Sequence, residues 1–353
     1  MGDVYTVRLN PVGVEFEVED GETVLDAAFR QGIALPHGCK EGRCAACKCV
    51  LNEGEVELKP YSTFALNEME RDQNHILLCR TLAYSDIEVD LLNFDEEILS
   101  KSIPVRTYGA KVARIIDLTH DIRRLEIVLD QPLKFWAGQY VDITLPGPEA
   151  ITRSFSMANT PIEGKALAFI IKKYPNGQFS SRLDGALSPG TRLTVRGPFG
   201  TCFRREGKTG ALILVGGGSG MSPLWSILHD HLESGEDREV FFFYGARTTK
   251  DLFYLEDFKR LMAENPRLHF IPALSGAQEE DGWTGERGFI HDVLNAHLRR
   301  LGFGEDVDVY ACGPEPMIEA LVPVLQMNDV PSERIFFDKF TPAASPAGQP
   351  AYA

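Results

Sequence analysis

Residues 36–47 read PHGCKEGRCAAC, and a further cysteine follows at position 79 in the sequence ILLCR, residues 76–80. The spacing is C-x4-C-x2-C with a distant fourth cysteine, which is typical of the thiolate ligands of a plant-type [2Fe–2S] cluster. Gly38 and Gly42 allow the loop to curl around two irons, because glycine tolerates positive φ. We expect the fourth cysteine to lie on an apolar strand. The pattern predicts an iron–sulfur site with four ligands: Cys39, Cys44, Cys47 and Cys79.

Two other uses of these cysteines remain open. Zinc sites usually combine two close cysteine pairs, and here Cys44 with Cys47, or Cys47 with Cys49, approaches that spacing. The alternative is a set of plain structural thiols. Disulfides are disfavoured because the cysteines are bunched and no secretory signal is recognisable before them. We interpret Cys49 as a strand thiol rather than a ligand.

The composition is that of an ordinary soluble protein. The chain has 353 residues, 44% hydrophobic and 25% charged, which is enough for two or three domains with separate cores. The most apolar run, residues 211–215, has the length of a strand and is far too short to span a membrane. We therefore expect a cytoplasmic protein with no membrane partner.

Negative charge is concentrated near the amino terminus. The net charge of the chain is −15, and residues 1–95 contain 18 Asp and Glu against 8 Lys and Arg. Such a balance argues against nucleic acid as a partner. It favours docking of this region on a basic protein surface, although the charge could serve solubility alone.

The first 95 residues show the pattern of a small α+β domain. Alternating strands at 5–9 and 14–18 precede a helix at 24–31 that opens with Thr23, and further strands are predicted at 75–81 and 87–91. This order is typical of a ferredoxin-like domain of the β-grasp type with a strongly curved sheet. Residues 96–104 lose the periodicity and are predicted to form a linker.

Residues 105–208 predict a second domain. Six short β segments separated by turn signals indicate an antiparallel barrel, with a helix at 179–186 as its interruption. Within it, Arg153-Ser154-Phe155-Ser156 is predicted to place a cation and a hydroxyl on one side of a strand and an aromatic ring on the other, which suits a flat ring system with a pyrophosphate. Gly177 and Ser180 open the predicted helix, where free N–H groups favour a phosphate.

Each of these barrel residues also has an ordinary structural interpretation. Arg153 could form a surface ion pair, Phe155 could pack in the core, and Ser180 could be a helix cap. Their order and separation on one barrel favour the binding interpretation.

Residues 209–340 predict a third, α/β domain. A buried strand at 211–215 leads into GGGSGMSP, residues 216–223, and a helix at 224–233, which is a phosphate-binding βα unit. The loop is neither a strict G-x-G-x-x-G, because position 221 is Met, nor a P-loop. Later strands and helices alternate, so we expect a parallel sheet with helices on both faces. The Ala- and Pro-rich residues 341–353 are predicted to be disordered.

Two residues of the third domain bear on its ligand. Arg247 follows the second strand and could bind a 2′-phosphate, stack on adenine or lie on the surface. Cys312, in CGPEPM, is placed at the carboxyl edge of the sheet, where ligands bind, although a lone cysteine is more often a buried apolar residue. We assign that structural role to Cys202.

In this order the three domains resemble, from end to end, the reductase components of multicomponent bacterial oxygenases, a branch of the ferredoxin–NADP reductase superfamily. The resemblance is greatest to the reductases of soluble diiron monooxygenases that act on methane, propane, other alkanes, phenol or toluene. Four segments carry it: CKEGRCAACK at 39–48, LLCRT at 77–81, GQY at 138–140 and FFDKF at 336–340.

The resemblance implies three cofactors, a [2Fe–2S] cluster, FAD and NADH, with NADH favoured over NADPH. For the flavin it implies contacts from Tyr140, Arg153, Phe155, Ser156, Gly177 and Ser180. For the nicotinamide nucleotide it implies contacts from Gly216, Gly217, Gly218, Gly220, Gly313 and Pro314, to which we add Arg247. Two catalytic positions are implied: Cys312 near the transferring carbon and Phe340 over the flavin. Phe155 stands where the family usually has Tyr, so a bond from that hydroxyl is lost.

The function implied is electron transfer from NADH through FAD and the cluster to a diiron hydroxylase, docked on the acidic amino-terminal domain of a monomer. Two alternatives are a reductase for a Rieske-type dioxygenase and a non-catalytic flavin or iron–sulfur redox sensor. The intact cysteines, together with Arg153 and Cys312, argue against the sensor.

Overall fold

The structure, a computed structural model, describes residues 2–147, 150–278, 282–302 and 306–340. The predicted disordered tail, residues 341–353, lies outside the described residues. Two compact units divide the chain. The first contains residues up to 107 together with residues 196–201, and the second contains the remaining described residues.

The first unit is an α+β fold of short elements. In chain order these are β1 (Val4–Asn10), β2 (Val14–Glu19), α1 (Val24–Arg30), β3 (Lys48–Glu53), β4 (Val56–Leu58), α2 (Glu68–Asp72), β5 (His75–Leu77), β6 (Thr81–Ala83), β7 (Ile87–Leu91) and α3 (Glu96–Ser100).

A five-stranded sheet in the order β2-β1-β7-β3-β5 is the framework of this unit. Strands β1 and β7 are parallel, and β1–β2, β3–β7 and β3–β5 are antiparallel. Helix α1 begins at Thr23, whose hydroxyl accepts a hydrogen bond from the Asp26 amide at 3.2 Å, and Val24, Leu25 and Phe29 are buried. The expected ferredoxin-like fold is confirmed.

Two details of this unit differ from the expected elements. The strand predicted at 75–81 is two strands, β5 and β6, and Cys79 lies in the turn between them. Hydrogen bonds from Leu78 N to Cys47 O at 3.1 Å and from Arg80 N to Leu77 O at 2.7 Å form this turn. Residues 96–104, the predicted linker, contain helix α3, and Ser102 Oγ accepts a hydrogen bond from Ala34 N at 2.9 Å.

Six strands form a barrel. They are β8 (Arg106–Asp117), β9 (Ile122–Leu129), β10 (Tyr140–Leu145), β11 (Ile151–Ser156), β12 (Ala166–Lys172) and β13 (Arg192–Phe199). All residues of these strands belong to the second unit except the start of β8 and the end of β13. Their order is β11-β10-β13-β8-β9-β12, and an antiparallel bridge between Met157 and Phe169 joins the two ends. The antiparallel barrel is confirmed. Buried side chains that alternate along its strands, such as Val141 and Ile143, fill its interior.

A parallel six-stranded sheet follows, in the order β17-β16-β15-β14-β18-β19. Its elements are β14 (Ala211–Gly217), α4 (Met221–Ser234), β15 (Val240–Ala246), α5 (Leu255–Glu264), β16 (Leu268–Leu274), β17 (Glu286–Arg287), α6 (Ile290–Leu301), β18 (Val307–Pro314), α7 (Glu315–Met327) and β19 (Ile335–Phe340). Helices α4 and α5 pack in one core, and α6 and α7 in another. The expected helices on both faces are therefore confirmed.

The barrel and the parallel sheet share a hydrophobic core. Ile122 and Ile170 from the barrel belong to the same buried cluster as Leu224 and Ile227 of α4. A shared core is a physical reason for the two to form a single unit. Among the described residues, no helix is long and apolar enough to cross a lipid bilayer.

Candidate functional site

The cysteine-rich loop is shaped by backbone N–H groups that point at sulfur. Cys39 Sγ accepts hydrogen bonds from Glu41 N at 3.4 Å and from Arg43 N at 3.2 Å, and Cys44 Sγ accepts from Cys39 N at 3.2 Å. The hydrogen bond between the Cys44 and Cys39 thiols lowers the pKa of Cys39 to about 5, and the backbone N–H donors add to this effect, while burial opposes it. The loop therefore favours the thiolate, the form that binds iron, at Cys39, whereas the hydrogen bond with Cys39 and burial raise the pKa of Cys44.

The second pair of predicted ligands meets from two segments. Cys47 and Cys79 are both buried, and their thiols are hydrogen bonded to each other. Gly42, with φ of +72°, packs beneath Tyr61 and Arg80, where an added Cβ would come within 2.8 Å of each. The structure thus brings the late cysteine to the loop through a glycine that no other residue could replace without displacement.

These observations form a fit test for a [2Fe–2S] cluster. Four sulfur atoms in two hydrogen-bonded pairs, with N–H donors directed at them, match the donor set of such a cluster. Cys49 on β3 is fully buried, and burial raises its pKa, which agrees with the structural role assigned to it. The residues present fit the group.

Residues 196–201 pack within the first unit, beside this loop. Phe199 contacts Phe29 with ring centroids 5.3 Å apart, and the Lys40 ammonium lies 3.5 Å above the Phe199 ring centroid. Gly200 N lies 3.2 Å from His37 Nε2, and Arg196 donates to Asp26 at 2.8 Å. One side of the first unit is therefore covered by a later segment of the same chain.

The predicted flavin residues converge on one loop of the barrel. The Arg153 guanidinium donates to Gln178 Oε1 at 2.7 Å. The Phe155 ring lies with its centroid 4.7 Å from that of Phe179, the residue that follows Gln178 in the chain. Arg153 and Phe155 therefore share a face, and Ser154 bonds to Asp142 at 2.6 Å instead. The predicted grouping of cation with hydroxyl, opposite the aromatic ring, was wrong, because side chains two residues apart on a strand point the same way.

The phosphate loop predicted at Gly177 and Ser180 is compact but barely helical. The expected helix at 179–186 is a single 3₁₀ turn, Ser180–Leu183. Ser180 Oγ accepts from Tyr174 N at 3.1 Å, and a Cβ on Gly177 would collide with that hydroxyl. The Arg153–Gln178 bond thus brings a guanidinium to the loop that contains Gly177 and Ser180, and a guanidinium there suits a pyrophosphate.

The glycine-rich loop lies against the end of β18. Gly216 is paired with Cys312 in the parallel register of β14 and β18. Gly217 and Gly313 both face Met317, where an added Cβ would come within 2.9 Å and 2.6 Å of its side chain. Gly218 has φ of +56°, and its carbonyl accepts from Tyr244 Oη at 3.0 Å. This bare backbone fits a nucleotide that must approach the sheet edge closely.

Cys312 and Phe340 are neighbours through β18 and β19. Cys312 pairs with Asp338, and Pro314 pairs with Phe340, so Phe340 ends next to the segment predicted to bind nicotinamide. Cys312 is fully buried and lies in β18, which extends through Pro314 rather than turning before it. Cys202 is also buried, and its hydrogen bond to Cys312, with burial, raises its pKa.

Tyr140 and Arg247 sit at the margins of these groups. Tyr140 is opposite Ser156 in the register of β10 and β11. Arg247 directly follows β15 with its side chain exposed, and its carbonyl accepts from Gly276 N at 2.8 Å. Among the described residues, the Arg247 side chain bonds to no other functional residue, so its binding to the nucleotide stays a prediction.

A hydroxyl absent from the predicted set joins the two halves of the second unit. Ser222, in the first turn of α4, donates from Oγ to Ser156 O at 2.6 Å and accepts from Ile170 N at 3.1 Å. Gln178 was likewise not predicted. Both sit inside segments that the sequence singled out, at Gly216–Pro223 and Gly177–Arg182, but a serine or glutamine has no pattern that signals such a contact.

Family models match in three successive regions. Residues 7–84 match a 2Fe-2S iron-sulfur cluster binding domain, residues 109–203 an oxidoreductase FAD-binding domain, and residues 214–322 an oxidoreductase NAD-binding domain. The three groups of residues described above fall within these regions, except Phe340, which lies beyond the third.

Relatives match over nearly the whole chain. The reductase component of propane 2-monooxygenase from Gordonia sp. (strain TY-5) is 43% identical over 98% of this chain and 99% of its own length. The reductase component DmpP of phenol 2-monooxygenase from Pseudomonas sp. (strain CF600) is 38% identical over 98% of this chain and 97% of its own. Among solved structures, the Amycolatopsis cytochrome P450 reductase GcoB covers 96% of this chain and 100% of its own, with 31% identity and a TM-score of 0.85.

Proposed function

This chain belongs to the family of reductase components of multicomponent monooxygenases that carry [2Fe–2S], FAD-binding and NAD-binding domains, and we propose that it serves a soluble diiron alkane monooxygenase of the propane type. The proposed reaction oxidises NADH and delivers single electrons to the hydroxylase component. The propane-type relatives are more similar in sequence than the phenol-type relative, which supports this choice of partner.

The observation that carries the proposal is the 43% identity to the reductase component of propane 2-monooxygenase over 98% of this chain, and the Ser222–Ser156 hydrogen bond of 2.6 Å supports its hydride-transfer step. Ser156 ends the strand proposed to bind flavin, and Ser222 opens the helix after the loop proposed to bind nucleotide. The bond holds these two segments in contact within one unit. Hydride transfer needs such a fixed approach, because misplacement of the reacting groups by even 1 Å is costly.

We assign the remaining roles by position. Arg153, Phe155 and Ser156, with Tyr140, would bind and orient FAD, and Gly177 and Ser180 would hold its phosphates. The nucleotide would lie on Gly216–Gly220 and Gly313–Pro314, with Arg247 at its adenosine end. Buried Cys312 and terminal Phe340 would exclude water from the reacting face. Cys39, Cys44, Cys47 and Cys79 would ligate the cluster.

When bound, these groups supply hydride donation by nicotinamide, two-electron acceptance with one-electron release by flavin, and single-electron carriage by the cluster. The protein contributes position and electrostatics. Backbone N–H groups at Cys39 and Cys44 stabilise negative charge on sulfur, and the Arg153 guanidinium does so at the proposed pyrophosphate.

We further propose that the chain is a cytoplasmic monomer that docks on its hydroxylase through the first unit. The 18 acidic against 8 basic residues within positions 1–95 support attraction to a basic partner surface, and such attraction mainly raises the association rate.

An anaerobic titration of the purified chain with NADH, followed in the visible spectrum, tests the electron path. We expect flavin absorbance to bleach first and cluster absorbance to follow. A response of flavin alone would contradict the cysteine assignment, and no response would favour the redox sensor. Turnover with a Rieske-type oxygenase but not with a diiron hydroxylase would contradict the proposed hydroxylase partner, while the proposed electron path from NADH through FAD to the cluster would stand.

A further inference from the structure

Phe64 is the most exposed large apolar side chain among the described residues. Its exposed fraction is 95%. Burial of a phenylalanine side chain contributes about 1.5–3 kcal/mol of free energy, which an exposed ring forgoes. Exposed apolar side chains beside a functional centre are common at protein contacts.

The backbone around Phe64 is held in place. Ala65 and Leu66 are buried, with exposed fractions of 0% and 1%. Ser62 supports the turn from both sides, since its carbonyl accepts from Ala65 N at 2.9 Å and its hydroxyl accepts from Phe64 N at 3.3 Å. A fixed turn presents the ring to solvent without the entropy loss of ordering a loop on binding.

The same turn is bonded to the cysteine-rich loop. Ser62 N donates to Gly42 O at 2.9 Å, and Gly42 stands between Cys39 and Cys44. Tyr61 packs on Gly42. A partner seated on Phe64 would therefore contact the segment that adjoins the proposed cluster.

Within the first unit, none of the described residues covers the Phe64 ring. The chain's own later segment, residues 196–201, packs on Phe29, His37 and Asp26 instead. Helix α2, which follows Phe64 in the chain, carries exposed Glu68, Arg71 and Asp72, and residues 1–95 hold 18 Asp and Glu against 8 Lys and Arg. An apolar anchor on a region of net negative charge fits a partner with an apolar pocket rimmed by Lys or Arg.

We propose that Phe64 is the apolar anchor by which the first unit docks on the diiron hydroxylase component, its ring entering a pocket on that partner. This inference rests on the proposed function and names the contact through which its last electron transfer occurs. The net negative charge of residues 1–95 steers the encounter, and the ring slows dissociation.

The test uses the full chain loaded with cluster and FAD, together with the diiron hydroxylase component of a propane 2-monooxygenase. NADH-driven propane oxidation is measured against reductase concentration for wild type, Phe64→Ala and Phe64→Leu. Phe289→Ala is the matched control, because Phe289 is 63% exposed in the second unit.

We expect Phe64→Ala to raise the reductase KM about tenfold or more, as loss of a buried ring predicts, and Phe64→Leu to recover most of the affinity. Phe289→Ala should leave KM unchanged. Cluster absorbance and NADH–ferricyanide activity should be the same in all four proteins, so that misfolding is excluded by direct measurement.

A KM for Phe64→Ala within about twofold of wild type would overturn the anchor, since that change lies below the energy of one buried side chain. The anchor would also be overturned if the wild-type protein is a dimer and the Phe64→Ala variant is a monomer, because the ring would then bind a second copy of this chain. Absence of turnover with the hydroxylase would overturn both anchor and partner. The proposed electron path is judged separately, by NADH bleaching of the cluster, which does not involve Phe64.

Discussion

The carbonyl oxygen of Cys312 occupies the space that a Cβ on Gly220 would fill. Gly220 ends the glycine-rich loop, and Cys312 lies on the neighbouring parallel strand, so their backbones are in direct contact. The loop and the strand edge are thereby one surface, and the absence of a side chain at position 220 is what brings them together.

Replacement of Gly220 by Ala should therefore displace the loop. We expect the KM for NADH to rise roughly tenfold or more, or the second unit to lose about 1–3 kcal/mol of stability, as overpacking generally does. Steady-state kinetics with ferricyanide and thermal unfolding measure both. Gly235→Ala is the control for the KM alone, because Gly235 ends α4 with open space around its Cα but at φ +73°, where alanine strains the backbone and itself lowers stability; equal effects on the KM would contradict the contact.

Replacement of Cys79 by Ser should remove the cluster and leave the flavin. Cys79 belongs to the first unit, whereas the proposed flavin residues belong to the second. Iron content and visible absorbance should fall, while NADH–ferricyanide activity persists. Cys49→Ser serves as the control, since Cys49 is fully buried on β3 and is not a proposed ligand; iron loss in that variant alone would reverse the assignment.

Replacement of Arg153 by Met should weaken flavin binding. It removes the guanidinium that bonds Gln178 at 2.7 Å and with it a charge-assisted bond to the proposed pyrophosphate, worth about 1.5–3 kcal/mol. The FAD dissociation constant should rise about tenfold or more, measured by fluorescence on the apoprotein. Arg192→Met, an exposed barrel position, should bind FAD as wild type does.

Replacement of Ser222 by Ala should loosen the second unit. It leaves the buried Ser156 carbonyl and Ile170 amide without the bonds observed at 2.6 Å and 3.1 Å, at a cost of about 1–3 kcal/mol. We expect a lower melting temperature and slower flavin reduction by NADH in stopped flow. Ser188→Ala, at an exposed barrel position, is the comparison; an unchanged reduction rate in Ser222→Ala would contradict the positioning role.

Asp338 predicts a pH dependence of stability. Burial raises its pKa to about 7, so between pH 6 and 8 the folded state loses a proton that the unfolded state has already lost. Wild-type stability should therefore fall relative to Asp338→Asn as pH rises, by about 1.4 kcal/mol over this interval. Thermal unfolding at both pH values checks the sign. A wild-type stability that stays constant or rises relative to Asp338→Asn between pH 6 and pH 8 would refute the raised pKa.

The fold was readable where patterns are local. Thr23 with an acid three residues later predicted the start of α1, and the apolar run at 211–215 predicted β14. Strand β19 was not predicted, although its sequence FFDKF was noted, because Asp338 and Lys339 interrupt its apolar residues, and the strand is recognised only by its pairing with β18. The strand predicted across Cys79 failed because a turn bonded to Cys47 O overrides the β propensity of an apolar run.

The sequence predicted which residue types form the site, but not which of these residues contact each other. Cysteine spacing and glycine-rich turns report local geometry. The contacts of Arg153 with Gln178 and of Ser156 with Ser222 join positions 25 and 66 residues apart, and such contacts depend on the tertiary packing. The same limit applies to Phe64, whose apolar character predicts burial in most settings.

The segment Arg196–Thr201 has a practical consequence for dissecting this protein. Because the first unit takes its Arg196 and Phe199 from a point 89 residues or more beyond residue 107, where its main segment ends, a fragment ended at residue 107 would lack them. Phe29 would then face water, and Asp26 would lose its counter-ion. We accordingly expect the iron–sulfur half, when expressed alone, to be less soluble and more prone to aggregation. Addition of residues 196–201 as a separate peptide should improve its solubility.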